Sequence, residues 1–222
     1  EEAQLKQTAA ELSRQLMETN MKALNFQLNP HFIFNCVQTV EYLLKESRTE
    51  ESMAILRKFS NLTRLMLESM SKKEISLERE LEIVQFYMDL ENTRCNNSFT
   101  YSIDVDPSLD IEATMIPPLI LQPFVENSIK HGFAGKDKGN QIKITIRPES
   151  NNLLCEITDN GVGFSAGRQA KAPTSGYKKE SLGLKLIRDR LQVINKMHDA
   201  SSSFTIVDLL TEDNKTKGTR VS

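Results

Sequence analysis

The sequence lacks several features that would point to a function at once. It has no tryptophan, and its three cysteines, Cys36, Cys95 and Cys155, are far apart and form no Cys-x-x-Cys pair. They predict neither a zinc cluster nor a disulfide framework, and they favour a reducing compartment. The formal net charge of -2 gives no basic field that would recruit nucleic acid. No apolar run is long enough to span a membrane, and no signal peptide is present.

Glycine and proline are absent from residues 1–29, which therefore read as one continuous helix. Apolar residues, among them Leu5, Leu12 and Leu16, recur at helical spacing along a narrow stripe. Such a stripe on a polar helix is typical of a coiled coil, and a single helix of this kind is marginal in water. We predict a signalling coiled-coil helix over residues 1–28 that pairs with a second copy of the chain. Because the chain begins inside this pattern, we expect an upstream membrane or sensor region.

Residues 29–73 repeat a helical pattern twice. Apolar residues recur at three- and four-residue steps over 34–44 and again over 53–70. Between these stretches, residues 47–50 have the Ser-x-x-Glu spacing of a capping box. We predict a helical hairpin over 29–73, which forms a four-helix bundle in a homodimer.

Residues 74–222 mix strand and helix patterns. Ser76 is placed to cap a helix that runs to about Arg94. Further helices are predicted at 119–131 and 182–196, and strands at 99–105, 142–146, 153–158, 204–210 and 219–222. Residues 164–181 have no periodicity and are predicted to be a mobile basic loop. The sequence therefore predicts an α+β fold, in which the helical hairpin is followed by an α/β sandwich.

A carboxylate and two glycines stand where one predicted strand ends. Asp159 is followed by Gly161 and Gly163, and glycines let the backbone approach a ligand closely while the carboxylate accepts a hydrogen bond from it. The spacing is not the dinucleotide-binding Gly-x-Gly-x-x-Gly pattern. Taken alone, Asp159 equally fits the commonest use of aspartate, which is to cap a turn.

Two further elements suit a nucleotide triphosphate. Asn127, Lys130 and His131 lie on adjacent turns of one predicted helix, where an oxygen ligand for magnesium stands next to a cation for phosphate. Downstream, Gly183 and Leu184 lie at a predicted helix start, where free backbone amides bind phosphate. Three elements in this order, with a basic loop between the last two, predict a nucleotide site.

Four stretches of the sequence resemble the sensor histidine kinases of the LytS/YehU type. They are 27–35, 117–127, 159–163 and the Gly218-Thr219 pair. The ATP-binding half of that family belongs to the gyrase, Hsp90, histidine kinase and MutL superfamily. The resemblance implies a two-component kinase that uses ATP and Mg²⁺, acts as a homodimer and passes phosphate to a response regulator aspartate. It also implies a place on the cytoplasmic side of the inner membrane, reached through an upstream segment.

The same resemblance implies roles for single residues. His31 is expected to be the autophosphorylated histidine of the hairpin 29–73. Within the ATP-binding catalytic domain, residues 74–222, Asn127 is expected to bind Mg²⁺ with the ATP phosphates. Asp159 is expected to accept a hydrogen bond from the adenine amino group, and Gly161 and Gly163 to shape the base pocket.

The remaining implied contacts lie around the phosphates and the base. Lys130 is expected to face the phosphates, and His131 the ribose or the base. Gly183 and Leu184 are expected at the phosphate-side helix start. Thr219 is expected near the adenine edge.

The sequence departs from the family pattern at two positions. Ser181 stands where the family usually has a glycine, so the hinge of the lid loop loses one permissive residue. Phe32 follows His31, so the acidic neighbour that acts as a base in other histidine kinases is absent, and no residue is assigned as the general base.

Two other functions stay open at the level of the sequence. An ATPase clamp of the same superfamily carries a glutamate four residues before the magnesium asparagine, and this chain has Pro123 there. A catalytically weak scaffold, which dimerises and binds a regulator, is consistent with Ser181. Glu126 fits catalytic assistance, a salt bridge or an exposed position.

Overall fold

The computed structural model describes residues 30–95, 97–133, 139–150, 152–163, 188, 191, 203–210 and 216–222. The chain divides into two compact units after Asn61. The predicted helix 1–28, the basic loop 164–181 and most of the predicted helix 182–196 lie outside the described residues. Of the helices that the structure describes, none combines the length and the hydropathy that crossing a bilayer requires.

The helical hairpin begins in the first unit. Helix α1 is Pro30–Lys45, and helix α2 is Thr49–Met70, which begins in the first unit and continues into the second. Pro30 is the first residue of α1, a position where the missing N–H of proline would have no helical partner anyway. The helices contact each other through the rings of Phe32 and Phe59, whose centroids are 6.0 Å apart. The two predicted helices after Pro30 are thus present.

The second unit is built on a five-stranded mixed sheet with the order β2-β4-β5-β7-β6. Its strands are β2, Phe99–Val105; β4, Asn140–Glu149; β5, Asn152–Asp159; β6, Ile206–Leu210; and β7, Thr216–Val221. Only β2 and β4 are parallel among the paired neighbours. Two short strands that the sequence did not predict, β1 (Ile75–Ser76) and β3 (Met115–Ile116), pair with each other.

The core of this unit follows the alternation of the sequence. In β4, Ile142, Ile144 and Ile146 are almost fully buried, as the predicted one-faced strand requires. Helix α3, Leu77–Arg94, begins at Ser76, whose side chain accepts a hydrogen bond from the Arg79 N–H at 3.2 Å, as predicted. These helices and sheet confirm the predicted α+β class.

The helix predicted over 119–131 begins later than expected. Helix α4 is Gln122–Asn127, and a π-helical turn, Ser128–Gly132, continues it. Leu119 instead has a left-handed backbone, with φ of 56°. The prediction was wrong here because Pro123, which has no N–H, is tolerated in the first turn of a helix but not in its interior. The N–H groups of Leu119 and Leu121 donate to the buried carboxylate of Glu80, a partner that is remote in sequence.

Candidate nucleotide site

Asp159 lies at the end of β5, and its carboxylate is 4% exposed. Oδ1 accepts hydrogen bonds from the N–H groups of Gly161 at 2.9 Å and Thr219 at 3.3 Å. Oδ2 accepts one from the hydroxyl of Ser128 at 2.8 Å. Burial raises the pKa of Asp159 above its usual value, while these three donors act in the opposite direction. The carboxylate is therefore held in one orientation by the protein itself.

Three separate elements supply these donors. Gly161 follows β5 in a turn, Thr219 is the antiparallel partner of Asp159 on β7, and Ser128 begins the π-helical turn after α4. The structure thus brings together Asp159, Gly161 and Thr219, three of the predicted site residues. Sequence reasoning missed Ser128, because its partner lies 31 residues away along the chain.

Gly161 and Gly163 lie where no side chain fits. A Cβ atom on Gly161 would lie 2.2 Å from the carbonyl oxygen of Gly132, and the Val162 N–H donates to that same oxygen at 2.8 Å. Gly163 has φ of 88°, and a Cβ atom there would lie 2.0 Å from Cγ2 of Thr216. At Gly161 the turn after β5 is therefore packed directly against the backbone at the end of the π-helical turn.

Asn160, directly before Gly161, holds the turn to the start of β4. Its side-chain oxygen accepts from the Gln141 N–H, and its amide group donates to the carbonyl of Gly139, both at 2.8 Å. The Asn160 N–H also donates to the carbonyl of Gln141. Asn160 was not among the predicted site residues, because its partners are about twenty residues away along the chain.

The helical segment before Gly132 carries three predicted residues. Asn127, the last residue of α4, is half-buried, and His131 is exposed. The ammonium of Lys130 lies 2.5 Å from a carboxylate oxygen of Glu126, one helical turn earlier. Of the three interpretations of Glu126, the salt bridge is the one observed. In this structure Lys130 is therefore bound to a carboxylate within its own helix.

The remaining predicted residues are not brought to this point by the described structure. His31 lies in the first turn of α1, in the first unit. Gly183 and Leu184, together with Ser181, lie outside the described residues. Among the described residues, no group of three or more His, Cys, Asp or Glu side chains could hold a metal ion.

Comparisons with known proteins match both halves of the sequence. A family model described as "Histidine kinase" matches residues 19–99, and one described as "Histidine kinase-, DNA gyrase B-, and HSP90-like ATPase" matches residues 117–222. YwpD of Bacillus subtilis is 31% identical over 217 residues, which are 94% of this chain and 75% of that protein. The sensor protein LytS of Enterococcus faecalis is 32% identical over 157 residues. The chain belongs to the LytS-type histidine kinases.

A second LytS relative, from Oceanobacillus iheyensis, is 37% identical over 157 residues, which are 70% of this chain. The chain spans 26% of the length of each of these two LytS relatives. The predicted resemblance is confirmed. The matched ATPase-like region contains Asp159, Gly161 and Thr219, which the fold has brought into contact.

Proposed function

We propose that this chain is the kinase region of a two-component sensor, which binds ATP with Mg²⁺ and phosphorylates its own His31. The observation that carries the proposal is the buried carboxylate of Asp159, oriented by Ser128, Gly161 and Thr219. A carboxylate acceptor that is fixed in one orientation suits the amino group of a base such as adenine. The histidine kinase family to which the chain belongs supports the same conclusion.

Within this proposal each predicted residue has a role at the nucleotide. Asp159 accepts a hydrogen bond from the adenine amino group, Thr219 lies at the adenine edge, and Gly161 and Gly163 shape the base pocket. Asn127 supplies an oxygen ligand for Mg²⁺.

The phosphates are proposed to meet a different group of residues. Lys130 faces them after exchanging its Glu126 partner for phosphate oxygen, which is a chemically similar anion. His131 lies near the ribose or the base, and Gly183 and Leu184 offer the amides of a helix start.

The proposed phosphoryl transfer requires only one covalent bond to the protein, the P–N bond at His31. A neutral nitrogen of His31 attacks the γ-phosphorus, the P–N bond forms as the bond to the oxygen of the leaving ADP breaks, and the proton of the other ring nitrogen passes to a base. Histidine suits this role because its free nitrogen is available near neutral pH. Positioning and charge neutralisation by Mg²⁺ and Lys130 supply most of the acceleration. The phosphoryl group then moves to an aspartate of a response regulator.

The hairpin is proposed to be the dimer interface and the phosphotransfer element, over residues 29–73. Large apolar side chains of α1 and α2 that are exposed in the single chain support this interface: Phe34, Val37, Tyr42, Leu44, Met53 and Leu56. A second copy would cover them in a four-helix bundle. Residues 1–28 would carry the signal into the bundle from an upstream segment at the inner membrane, with the catalytic domain, residues 74–222, on its cytoplasmic side.

An ATPase clamp is the less favoured function. Pro123 occupies the first turn of α4, at the position where such clamps carry the glutamate that activates water. A proline side chain has no acid–base group, so hydrolysis would lack its base.

Incubation with γ-labelled ATP and Mg²⁺ tests the proposal. We expect label that is lost in acid and retained in alkali, as phosphohistidine requires, and none in His31→Ala. Because the chain has three histidines, His198→Ala is the matched control and should label normally. Label in His31→Ala would contradict the assignment. ATP binding without label would indicate the scaffold, and phosphate release without label would indicate the clamp.

A further inference from the structure

Glu80 is a buried carboxylate that bonds two backbone amides far along the chain. It lies in the first turn of α3, and its exposed fraction is 0%. Oε2 accepts the N–H of Leu119 at 2.7 Å, and Oε1 accepts the N–H of Leu121 at 2.8 Å. Each of the two carboxylate oxygens of Glu80 therefore accepts one backbone N–H.

The segment that Glu80 holds has an unusual backbone. Leu119 is left-handed, with φ of 56°, a conformation that a residue with a branched side chain rarely adopts. In this conformation two N–H groups, two residues apart, point toward one anion, as in a backbone nest. The carboxylate of Glu80 occupies that position and so offsets the strain at Leu119.

The same contact fixes the start of α4. Leu121 is the N-cap residue of this helix and has no side-chain cap. Its carbonyl accepts the N–H groups of Phe124 and Val125, while its own N–H is held by Glu80. Helix α4 and the π-helical turn continue without interruption to Asn127 and Ser128. The location of Leu121 therefore sets the location of both residues.

We propose that Glu80 is a positioning residue of the nucleotide site, which it does not itself touch. By holding Leu119 and Leu121, Glu80 fixes the position of α4 and of the π-helical turn that follows it. Ser128 is thereby placed against Asp159, and Asn127 is placed at the end of α4. The connection to ATP rests on the proposed function above, whereas the connection to Asn127 and Ser128 does not.

Amide hydrogen exchange of the unmodified, nucleotide-free protein tests the contact itself. Leu119 and Leu121 lie outside helices and strands. If Glu80 holds them, their amides should exchange at least about tenfold more slowly than exposed loop amides. Exchange at the rate of exposed loop amides would overturn the proposal without any variant.

Glu80→Gln tests the consequence for the site. Glutamine has one carbonyl oxygen, so its NH₂ group must face one of the two amides, donor against donor. We expect the exchange of Leu119 and Leu121 to accelerate and the amide NMR shifts of Asn127 and Ser128 to move in the nucleotide-free protein. The dissociation constant for ATP should rise about tenfold.

Glu91→Gln is the matched control. Glu91 lies on the same helix and is 1% exposed, but its carboxylate pairs with Arg94 at 2.7 Å. This variant should change neither the exchange of Leu119 and Leu121 nor the affinity for ATP. Equal effects of the two variants on the site would overturn the proposal, because they would indicate a general loss of stability.

A substitute variant and the measurements without nucleotide keep the result interpretable. If Glu80→Gln does not fold, Glu80→Asp, which keeps both oxygens on a shorter side chain, replaces it, and unchanged shifts of Asn127 and Ser128 there would contradict positioning. If the unmodified protein does not bind ATP, the proposed function fails, while the exchange and shift measurements still decide the role of Glu80.

Discussion

The hairpin of α1 and α2 and the pocket around Asp159 distribute their side chains in opposite ways. In the hairpin, large apolar groups face outward, and Phe34 is 67% exposed. In the pocket, charged and polar groups face inward, and Asp159 is 4% exposed with three donors around it. Exposed apolar surface is stabilised by another apolar surface, whereas a buried carboxylate needs directional donors.

This difference indicates what each region is built to bind. The hairpin leaves an apolar surface that a second protein chain would cover, and its composition does not specify a small ligand. The carboxylate of Asp159 is held by donors from three separate elements, which suits directional recognition of a small polar ligand. The proposed dimer and the proposed ATP site therefore rest on independent observations.

Asp159→Asn should have the largest effect, which is a loss of affinity for ATP at the proposed site. With its oxygen kept on the amides of Gly161 and Thr219, asparagine turns its NH₂ group toward Ser128, whose hydroxyl can accept it, so the fold is retained. The same NH₂ would meet the adenine amino group, donor against donor, and ATP affinity should fall about a hundredfold. Calorimetric titration with ATP measures this loss.

Asp106→Asn is the matched control for that experiment. Asp106 also accepts a backbone N–H and a serine hydroxyl, both from Ser108, but outside the pocket. ATP affinity should be unchanged in this variant. Unchanged affinity in Asp159→Asn as well would remove Asp159 from the proposed site and leave the pocket without its defining group.

Phe34→Ser should weaken the proposed dimer. A phenylalanine that becomes buried in the interface contributes about 1.5–3 kcal/mol, so the dissociation constant of the dimer should rise at least about tenfold. Sedimentation equilibrium measures it. Ala54→Ser, at another exposed position of the hairpin, should leave the dimer unchanged. A monomer in the unmodified protein, or an unaffected dimer in Phe34→Ser, would contradict the assigned interface.

Ser128→Ala should have the smallest effect and sharpen the account of the pocket. The lost hydrogen bond joins a hydroxyl to the carboxylate and does not reach ATP itself, so ATP affinity should fall only about fivefold. Because that bond stabilises the carboxylate, the pKa of Asp159 should rise further above its ordinary value of 3.8. Carbon-detected NMR titration measures the pKa, and Ser108→Ala should leave it unchanged.

The sign of the accompanying pH effect follows from the raised pKa. A carboxyl whose pKa is higher in the folded state binds its proton more tightly there. The resulting stabilisation is present below the unfolded value of 3.8 and is lost as pH rises through the folded value. Ser128→Ala should therefore lose more unfolding free energy than the unmodified protein as pH rises through this range. An equal loss would contradict the role of Ser128 at the carboxylate.

The local patterns of the sequence were sufficient for most elements and for part of the pocket. Alternating isoleucines predicted β4, and the serine cap predicted the start of α3. In each case the deciding interaction is between neighbouring residues or depends on a backbone preference that one residue type carries. The resemblance of four motifs to LytS-type kinases was confirmed for the same reason, since motifs are local.

Only the tertiary structure decided which remote groups complete the pocket. Ser128 meets Asp159 across 31 residues, and Glu80 meets Leu121 across 41, so no spacing rule could pair them. The segment before α4 is also fixed by a remote group, because Glu80 accepts the N–H groups of Leu119 and Leu121. By itself the sequence determined the elements, the motifs and the family. The fold determined which remote donors hydrogen-bond the buried carboxylates of Glu80 and Asp159, because those donors meet the carboxylates only in the tertiary structure.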